Sequence, residues 1–592
     1  MRIKVNRNYL WSNIFFDQLA ECGLKYACIS PGSRNTPLTY ALSQNKKIKS
    51  FVIIDERSSA FFALGIAKQT NSPVVVVTTS GTAAAELYPA IIEAYQNRVP
   101  LIICTADRPA YLRNTGSNQT IDQENLYNKH VRLFCDTGLP KLEIKKVKML
   151  KKIAGDAYKI SSITDCGPVH INFPFEKPLE PNSFTDEIEE KLLLESLADE
   201  VLVDAKNEAA KIETKEIDKV ISLFKKNNSG LITVGPGNFS SEFSANLEKF
   251  SAMFALPVFA DSSSGLRFKA NSISNLIENY DALVRCDSFS KIFSPKFILH
   301  FGRTLTSPKF DKYLQETLAK RFVINKYSDL FDSSKKSLLI RMDEAEFLNL
   351  LMQQKIADEK ISYSSIKSLK LLNEKFAKVK SNVFNKTPKI NEPEILLNVL
   401  NAVPPNSNLM IGNSLPVRDL DYFAAAINKN INIFQNRGVS GIDGITSTAL
   451  GICAASKNPT YLIIGDLSFY YDINSLLIAK QYDIPLITIL INNDGGAIFK
   501  FLPISEYKDV FEKYFITSTK LQFKKVVDAF DIDYKEIKDM QDLINHIKVS
   551  YARTKPVVFE IKTNADYSLS LRKKYWKNAN KIIENYVRTY EN

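Results

Sequence analysis

The chain has 592 residues, 45% hydrophobic and 11% aromatic, with apolar residues spread along its length; this excludes a disordered, collagenous or low-complexity protein and predicts three or so globular domains. The formal net charge is +12, but the lysines are scattered among acids rather than gathered in a stripe with aromatics, which argues against a nucleic-acid partner and for an anionic small molecule. Seven dispersed cysteines without C-x-x-C, an N-terminus without a signal-like apolar core, and no stretch near the roughly 20 apolar residues of a membrane span predict a cytoplasmic protein without a membrane partner.

The first 180 residues alternate β-branched runs with helical periods. Strands are expected at 25–29, 51–54, 73–79 and 100–105, with SPGSRNTP, DERSS, TSGT and ADRP in the loops that follow them. Such alternation implies a parallel sheet covered on both faces. Ligands bind at the carboxyl ends of such strands, so the four loops are expected on one rim. GPVHINFPFEKPLEP reads as the exit from a first domain, 1–182, followed by an acid- and lysine-rich stretch, 186–215. A second α/β block, 183–355, carries expected strands at 229–235, 257–261, 296–302 and 321–325 and a helix over 240–254. Its GPGN turn lacks the full G-x-G-x-x-G spacing and reads as a plain strand-to-helix turn. The charged stretch 356–390 reads as a solvated helix and linker. A third block, 391–592, begins with a strand at 408–412 and contains strands at 459–464 and 485–490 around a helix at 472–482. The fold class is therefore α/β, with three doubly wound parallel-sheet domains.

Four histidines stand at no metal-ligand spacing and there is no G-x-S-x-G elbow, which argues against a zinc hydrolase or a serine nucleophile. The informative unit is the βαβ of the third block. It sets Gly465-Asp466-Leu467-Ser468 and Asn492-Asn493 at the ends of neighbouring strands, with Asp466 and Asn493 27 positions apart. A carboxylate, an amide oxygen and a backbone carbonyl suit a hard cation such as Mg²⁺ while leaving positions for phosphate oxygens. Taken alone, the pattern fits a capping aspartate and turn asparagines equally well.

GDLS followed by INN at this interval resembles the diphosphate and metal motif of thiamine-diphosphate-dependent enzymes, and the three-block layout resembles their pyrimidine-binding, central and diphosphate-binding domains. That family places a glutamate just after the second strand of its first domain, and DERSSAFFALGIAK supplies Glu56. The resemblance implies that Glu56 contacts a ring nitrogen of the cofactor's aminopyrimidine. A shared proton there favours the imino tautomer, whose freed nitrogen removes the proton from the thiazolium carbon. Without the metal motif, Glu56 would read as a helix-capping acid. The metal set implied is Asp466, Asn493 and Gly495 with Mg²⁺ or Mn²⁺, beside Gly465, Leu467 and Ser468 at the cofactor.

Within the family, SPGSRNTPL, TADRP, GSNQTI, GNSLPVRDLD, NRGVSGIDG and NNDGGAIFKFLP resemble the branch that serves menaquinone biosynthesis. That resemblance implies decarboxylation of 2-oxoglutarate and conjugate addition to isochorismate. Two polyanionic substrates suit arginines, whose planar guanidinium binds a carboxylate through two parallel hydrogen bonds. By motif, Ser33, Arg34, Arg108, Asn118 and Gln119 are assigned to isochorismate, and Ser414, Arg418 and Arg437 to the succinyl end. A surface or interdomain ion pair is the alternative for each arginine. Ile442 is expected to wedge beneath the cofactor, with Ile498, Phe499 and Leu502 lining the pocket against water. Where many relatives carry adjacent basic residues, this chain reads TLTSPKF. Only Lys309 is left there as a substrate contact, and a solvated lysine is its default reading. The family architecture implies a homodimer or homotetramer in which Glu56 serves a partner's Asp466–Asn493 site. The rival readings are another thiamine-diphosphate 2-oxo-acid carboligase or decarboxylase, such as an acetolactate-synthase-like enzyme, and an inactive paralogue that binds ligand as a regulator.

Overall fold

The computed structural model describes residues 2–184, 186–190, 214–226, 229–269, 273–327, 329–354, 364–385 and 387–591. Its strands, in chain order, are β1 Arg2–Val5, β2 Tyr26–Ile29, β3 Lys49–Val52, β4 Val74–Thr78, β5 Leu101–Asp107, β6 Phe134–Asp136, β7 Pro168–Pro174, β8 Asp186–Glu189, β9 Gly230–Val234, β10 Val258–Ala260, β11 Phe297–Phe301, β12 Lys320–Asn325, β13 Leu338–Arg341, β14 Asn408–Ile411, β15 Asn432–Phe434, β16 Thr460–Gly465, β17 Ile487–Asn492, β18 Asp533–Glu536 and β19 Val557–Lys562. They form three parallel sheets, ordered β3-β2-β4-β5-β7-β6, β10-β9-β11-β12-β13 and β15-β14-β16-β17-β19-β18, plus the antiparallel pair β1-β8. The α/β class with parallel sheets is as the sequence predicts.

The same connection recurs in each large sheet. The chain starts inside, moves one strand outward, then crosses back over the first strand, leaving a switch point between β2 and β4, β9 and β11, and β14 and β16. Loops leaving the two strands of a switch point diverge and open a crevice beyond their carboxyl ends, where open α/β sheets bind ligands. The bordering loops are SPGSR and TSGT in the first sheet and GNSLPVR and GDLS in the third.

The described residues separate into two compact units. One gathers the N-terminal sheet with Asn436–Thr460 and Ser468–Leu486; the other gathers the remaining two large sheets and the C-terminal helix Ala565–Glu591. In the first, β4 is a run of valines buried on both faces, as a central parallel strand requires. Trp11, Phe15, Phe16 and Leu19 of the helix Arg7–Glu21 are buried in its core. The helix Glu56–Thr70 crosses Ile445–Ala454 at backbone contact. A Cβ on Gly65 would lie 2.1 Å from the Thr448 carbonyl oxygen, so only glycine permits the crossing.

Three expectations need correction. The stretch read as a solvated helix and linker holds the helix Ser364–Phe384, whose Leu369, Leu372, Phe376 and Val383 are buried in one core cluster with Tyr575, Ala579 and Ile583 of the C-terminal helix. The apolar stripe recurs at helical spacing, and the intervening lysines obscure it in composition. The strand expected at 51–54 is Lys49–Val52, because Asp55 caps the next helix and Ile54 is left 66% exposed. The helix expected at 472–482 is present as a 3₁₀ turn, Ile473–Ser475, running into Leu476–Gln481, but a further helix, Asp466–Tyr471, precedes it, so the chain turns helical at Asp466 itself. Most of the acid- and lysine-rich stretch 186–215 lies outside the described residues.

Candidate active site

The third sheet brings the two residues expected to ligate a cation to adjacent strand ends. β16 ends at Gly465 and β17 at Asn492, and the register pairs Gly465 with Ile491, so Asp466 and Asn493 leave the sheet side by side. Asp466 is 3% exposed. Its Oδ2 accepts from the Gly495 amide at 2.8 Å, and burial pushes its carboxyl up to about 7 against the backbone amides it accepts from. Asn493 donates through Nδ2 to Glu392 Oε1 at 2.9 Å, while its buried Oδ1 has no hydrogen-bond partner. An orphaned amide oxygen and a buried carboxyl short of positive charge fit a hard divalent cation. Gly495, at φ +131°, completes the turn; a Cβ there would meet the Ile516 carbonyl oxygen at 2.2 Å.

Beyond the other strand of this switch point, Ser414 holds φ +71° and ψ −122°, a strained backbone for a residue with a side chain. Its carbonyl accepts from Arg418 Nη1 at 2.7 Å, and Arg418 forms no ion pair among the described residues. Ile498 and Phe499, on the short helix Ala497–Phe501, are half-buried, with Phe499 edge-on to Phe515 at 5.7 Å. Leu502 is 49% exposed and Lys309 is exposed on the helix Pro308–Glu316, so neither is a core residue.

In the N-terminal sheet, Glu56 opens the helix Glu56–Thr70, but Asp55 does the capping, accepting from Ser58 N at 2.9 Å. Glu56 is therefore not needed as the cap. Burial, with Asp55 and Glu86 nearby, holds its carboxyl above the usual range. The start of the helix is fixed by Asp472, fully buried, which accepts from Ser58 Oγ and from the Ser447 amide and hydroxyl.

The carboxyl rim of the same sheet brings Arg34 and Arg108 together. Arg34 Nη1 donates to the Phe175 carbonyl at 2.8 Å, and Arg108 Nη1 donates to Ser80 Oγ. Burial lowers both, and the charge of Arg108 lowers Arg34 further. Neither forms an ion pair among the described residues, because Arg113 engages the neighbouring acids Asp107, Asp136 and Glu124. Gln119 Nε2 donates to the Ser80 carbonyl at 2.9 Å, placing it beside Arg108's anchor. Ser33 and Asn118 are exposed on the same rim loops. Arg437 is half-buried at the start of a loop whose Gly438 and Val439 amides are held by Glu93 at 2.9 and 2.8 Å, and Ile442 is 36% exposed.

The sequence reading missed Glu392, Asp472 and Ser80. Glu392 had one weak signal, an acid at the start of a helix in NEPEI; Asp472 and Ser80 had none beyond the motifs beside them.

Comparison with known proteins agrees with this geometry. Residues 11–126 match the family described as thiamine pyrophosphate enzyme, N-terminal TPP binding domain, and residues 424–561 match its C-terminal TPP binding domain. A 2-succinyl-5-enolpyruvyl-6-hydroxy-3-cyclohexene-1-carboxylate synthase of Listeria innocua is 35% identical over 95% of this chain and 96% of its own length. Proteins of the same name from Oceanobacillus iheyensis and Haloquadratum walsbyi are 34% and 33% identical, over 95% and 96% of this chain and 96% and 97% of their own. The chain belongs to the 2-succinyl-5-enolpyruvyl-6-hydroxy-3-cyclohexene-1-carboxylate synthase family of thiamine pyrophosphate enzymes.

Proposed function

We propose that the protein decarboxylates 2-oxoglutarate and adds the remaining four-carbon unit, in a conjugate Stetter-like manner, to isochorismate in menaquinone biosynthesis, using thiamine diphosphate with Mg²⁺ or Mn²⁺. The observation that carries this reading is the pair Arg34 and Arg108, two neighbouring guanidiniums without carboxylate partners. Like charges held together favour an anion that neutralises both, and isochorismate brings two carboxylates.

When bound, thiamine diphosphate supplies the carbon nucleophile and the sink for the electrons released with CO₂. Asp466, Asn493 and the Gly495 carbonyl would hold the divalent cation, with Gly465, Leu467 and Ser468 beside the cofactor's diphosphate. Glu56 holds the proton at the aminopyrimidine ring; its raised affinity for that proton suits the task. Ser33, Arg34, Arg108, Asn118 and Gln119 take isochorismate; Ser414, Arg418 and Arg437 take the distal carboxylate of 2-oxoglutarate. Lys309 is the weakest member of the substrate set, since an exposed lysine needs no ligand. Ile442 would support the cofactor, and Ile498, Phe499 and Leu502 would exclude water from the pocket around it.

The partial exposure of Ile442 and Leu502 is consistent with a second subunit covering the site. We therefore propose a homodimer or homotetramer in which Glu56 of one protomer serves the Asp466–Asn493 site of its partner, within 1–182 as pyrimidine-binding, 183–355 as central and 391–592 as diphosphate-binding domains. A cytoplasmic location belongs to the same proposal, supported by seven cysteines that form no disulfide among the described residues. Among the described residues no helix is long and apolar enough to cross a membrane. The test is CO₂ release from 2-oxoglutarate against pyruvate, with and without isochorismate. Release from 2-oxoglutarate that isochorismate accelerates supports the reading; preferential turnover of pyruvate, indifferent to isochorismate, overturns it in favour of a different carboligase.

A further inference from the structure

We infer that Glu392 is a positioning residue for the metal centre, fixing which face of the Asn493 amide meets the cation. The inference rests on the reading of Asp466 and Asn493 as metal ligands and goes beyond it to a residue that touches neither metal nor substrate.

An asparagine amide is nearly symmetric in shape but not in chemistry: one end donates and the other accepts. At a cation site the difference decides binding, because only the oxygen can ligate. Glu392 removes the ambiguity. Its carboxylate can only accept, so the Asn493 end facing it, 2.9 Å from Oε1, is Nδ2, and Oδ1 is left turned away without a partner.

Glu392 is in turn held in place by donors of its own. Arg572 Nη2 donates to its Oε2 at 2.6 Å, Thr563 Oγ1 donates to Oε1 at 3.3 Å, and Glu392 is 1% exposed. The other edge of the Arg572 guanidinium donates to Asp419 from Nε at 2.8 Å and again from Nη2, and Arg572 and Asp419 are 1% and 2% exposed. Two carboxylates share one guanidinium, so the buried triad carries a net negative charge next to the cation site, which a divalent ion offsets. Asp419 directly follows Arg418 on the helix Leu415–Phe423, so the same triad anchors the helix that carries a proposed substrate arginine.

The test is Glu392→Gln, which keeps shape but makes one end a donor. Arg572 has only donors to offer, so the glutamine turns its oxygen to Arg572 and its Nε2 to Asn493. Asn493 must then flip, presenting Nδ2 to the cation. Binding of Mn²⁺ to the full chain with saturating thiamine diphosphate, read by the loss of free-ion electron paramagnetic resonance signal, is expected to weaken about 10- to 100-fold. Turnover should recover at saturating Mn²⁺. Glu392→Asp keeps an acceptor-only partner but withdraws it, so it is expected to fall between wild type and Glu392→Gln. It also carries the test alone if the glutamine variant does not fold. Asp466→Asn separates the two levels of the claim. If it abolishes Mn²⁺ binding while both Glu392 variants bind within twofold of wild type, the inference about Glu392 is wrong and the metal site stands. If Asp466→Asn itself binds Mn²⁺ normally, the metal-site reading fails and the inference with it.

Discussion

Gly495→Ala perturbs the turn proposed to bind the metal where the backbone tolerates least. At φ +131° a side chain is strained in itself, and the new Cβ would sit 2.2 Å from the Ile516 carbonyl oxygen. An ordinary contact needs about 3.5 Å, so the atoms must separate by more than about 1 Å. The carbonyl cannot simply retreat, because it accepts from the Gly496 amide at 2.7 Å. The turn moves instead, withdrawing the Gly495 amide from Asp466 and displacing Asn493 two residues earlier. Backbone strain of about 1–3 kcal/mol and a lost charge-assisted bond of about 1.5–3 kcal/mol together predict roughly 2.5–6 kcal/mol of local destabilisation. Mn²⁺ titration in the presence of thiamine diphosphate should show affinity lowered about 10- to 100-fold, and calorimetry of the apo-protein a lower Tm. Wild-type affinity together with an unchanged Tm would refute the steric reasoning.

Glu56→Gln should leave thiamine diphosphate bound, by calorimetric titration, while turnover falls roughly 10²- to 10⁴-fold, the range for removal of a general acid–base group; undiminished turnover would take Glu56 out of the reaction. Arg34→Met should raise KM for isochorismate about 10- to 100-fold, the loss of one charge-assisted contact, and leave KM for 2-oxoglutarate within twofold. Because it also relieves repulsion from Arg108, the ligand-free Tm should hold or rise, whereas a structural ion pair would make it fall. Acid should destabilise the fold through His170, which burial lowers to about 3 and whose Nε2 lies 2.7 Å from Thr105 Oγ1. The unfolded state takes up a proton below about pH 6.5 that the native state refuses until about pH 3. Stability from this group is therefore complete above pH 6.5 and falls as pH drops through that window. Between pH 7 and 5 the stability gap between wild type and His170→Gln, measured by urea unfolding, should narrow by about 2 kcal/mol.

What the sequence could show was what chain neighbours encode. GDLS and NND are readable because each follows a buried β-branched strand, and parallel pairing of successive strands sets their ends together. The rim arginines are readable for the same reason. Their isolation from carboxylates is not, because it depends on Arg113 reaching Asp107 and Asp136 across the rim. Glu392 was invisible at this level. Its partners Asn493 and Arg572 lie 101 and 180 positions away, and no local periodicity records a contact of that span. Asp55 and Glu56 are adjacent acids at a helix start, and only the structure shows that Asp55 is the cap.

The central claim is the joining of two particular substrates, and the most direct measurement is mass-spectrometric identification of what forms from 2-oxoglutarate, isochorismate, thiamine diphosphate and Mg²⁺ with the full chain. The account predicts one adduct with the composition of isochorismate plus 2-oxoglutarate less CO₂, its enolpyruvyl group intact, absent when Glu56→Gln replaces the wild type. Release of CO₂ with isochorismate recovered unchanged, or an adduct made from pyruvate in place of 2-oxoglutarate, would contradict it.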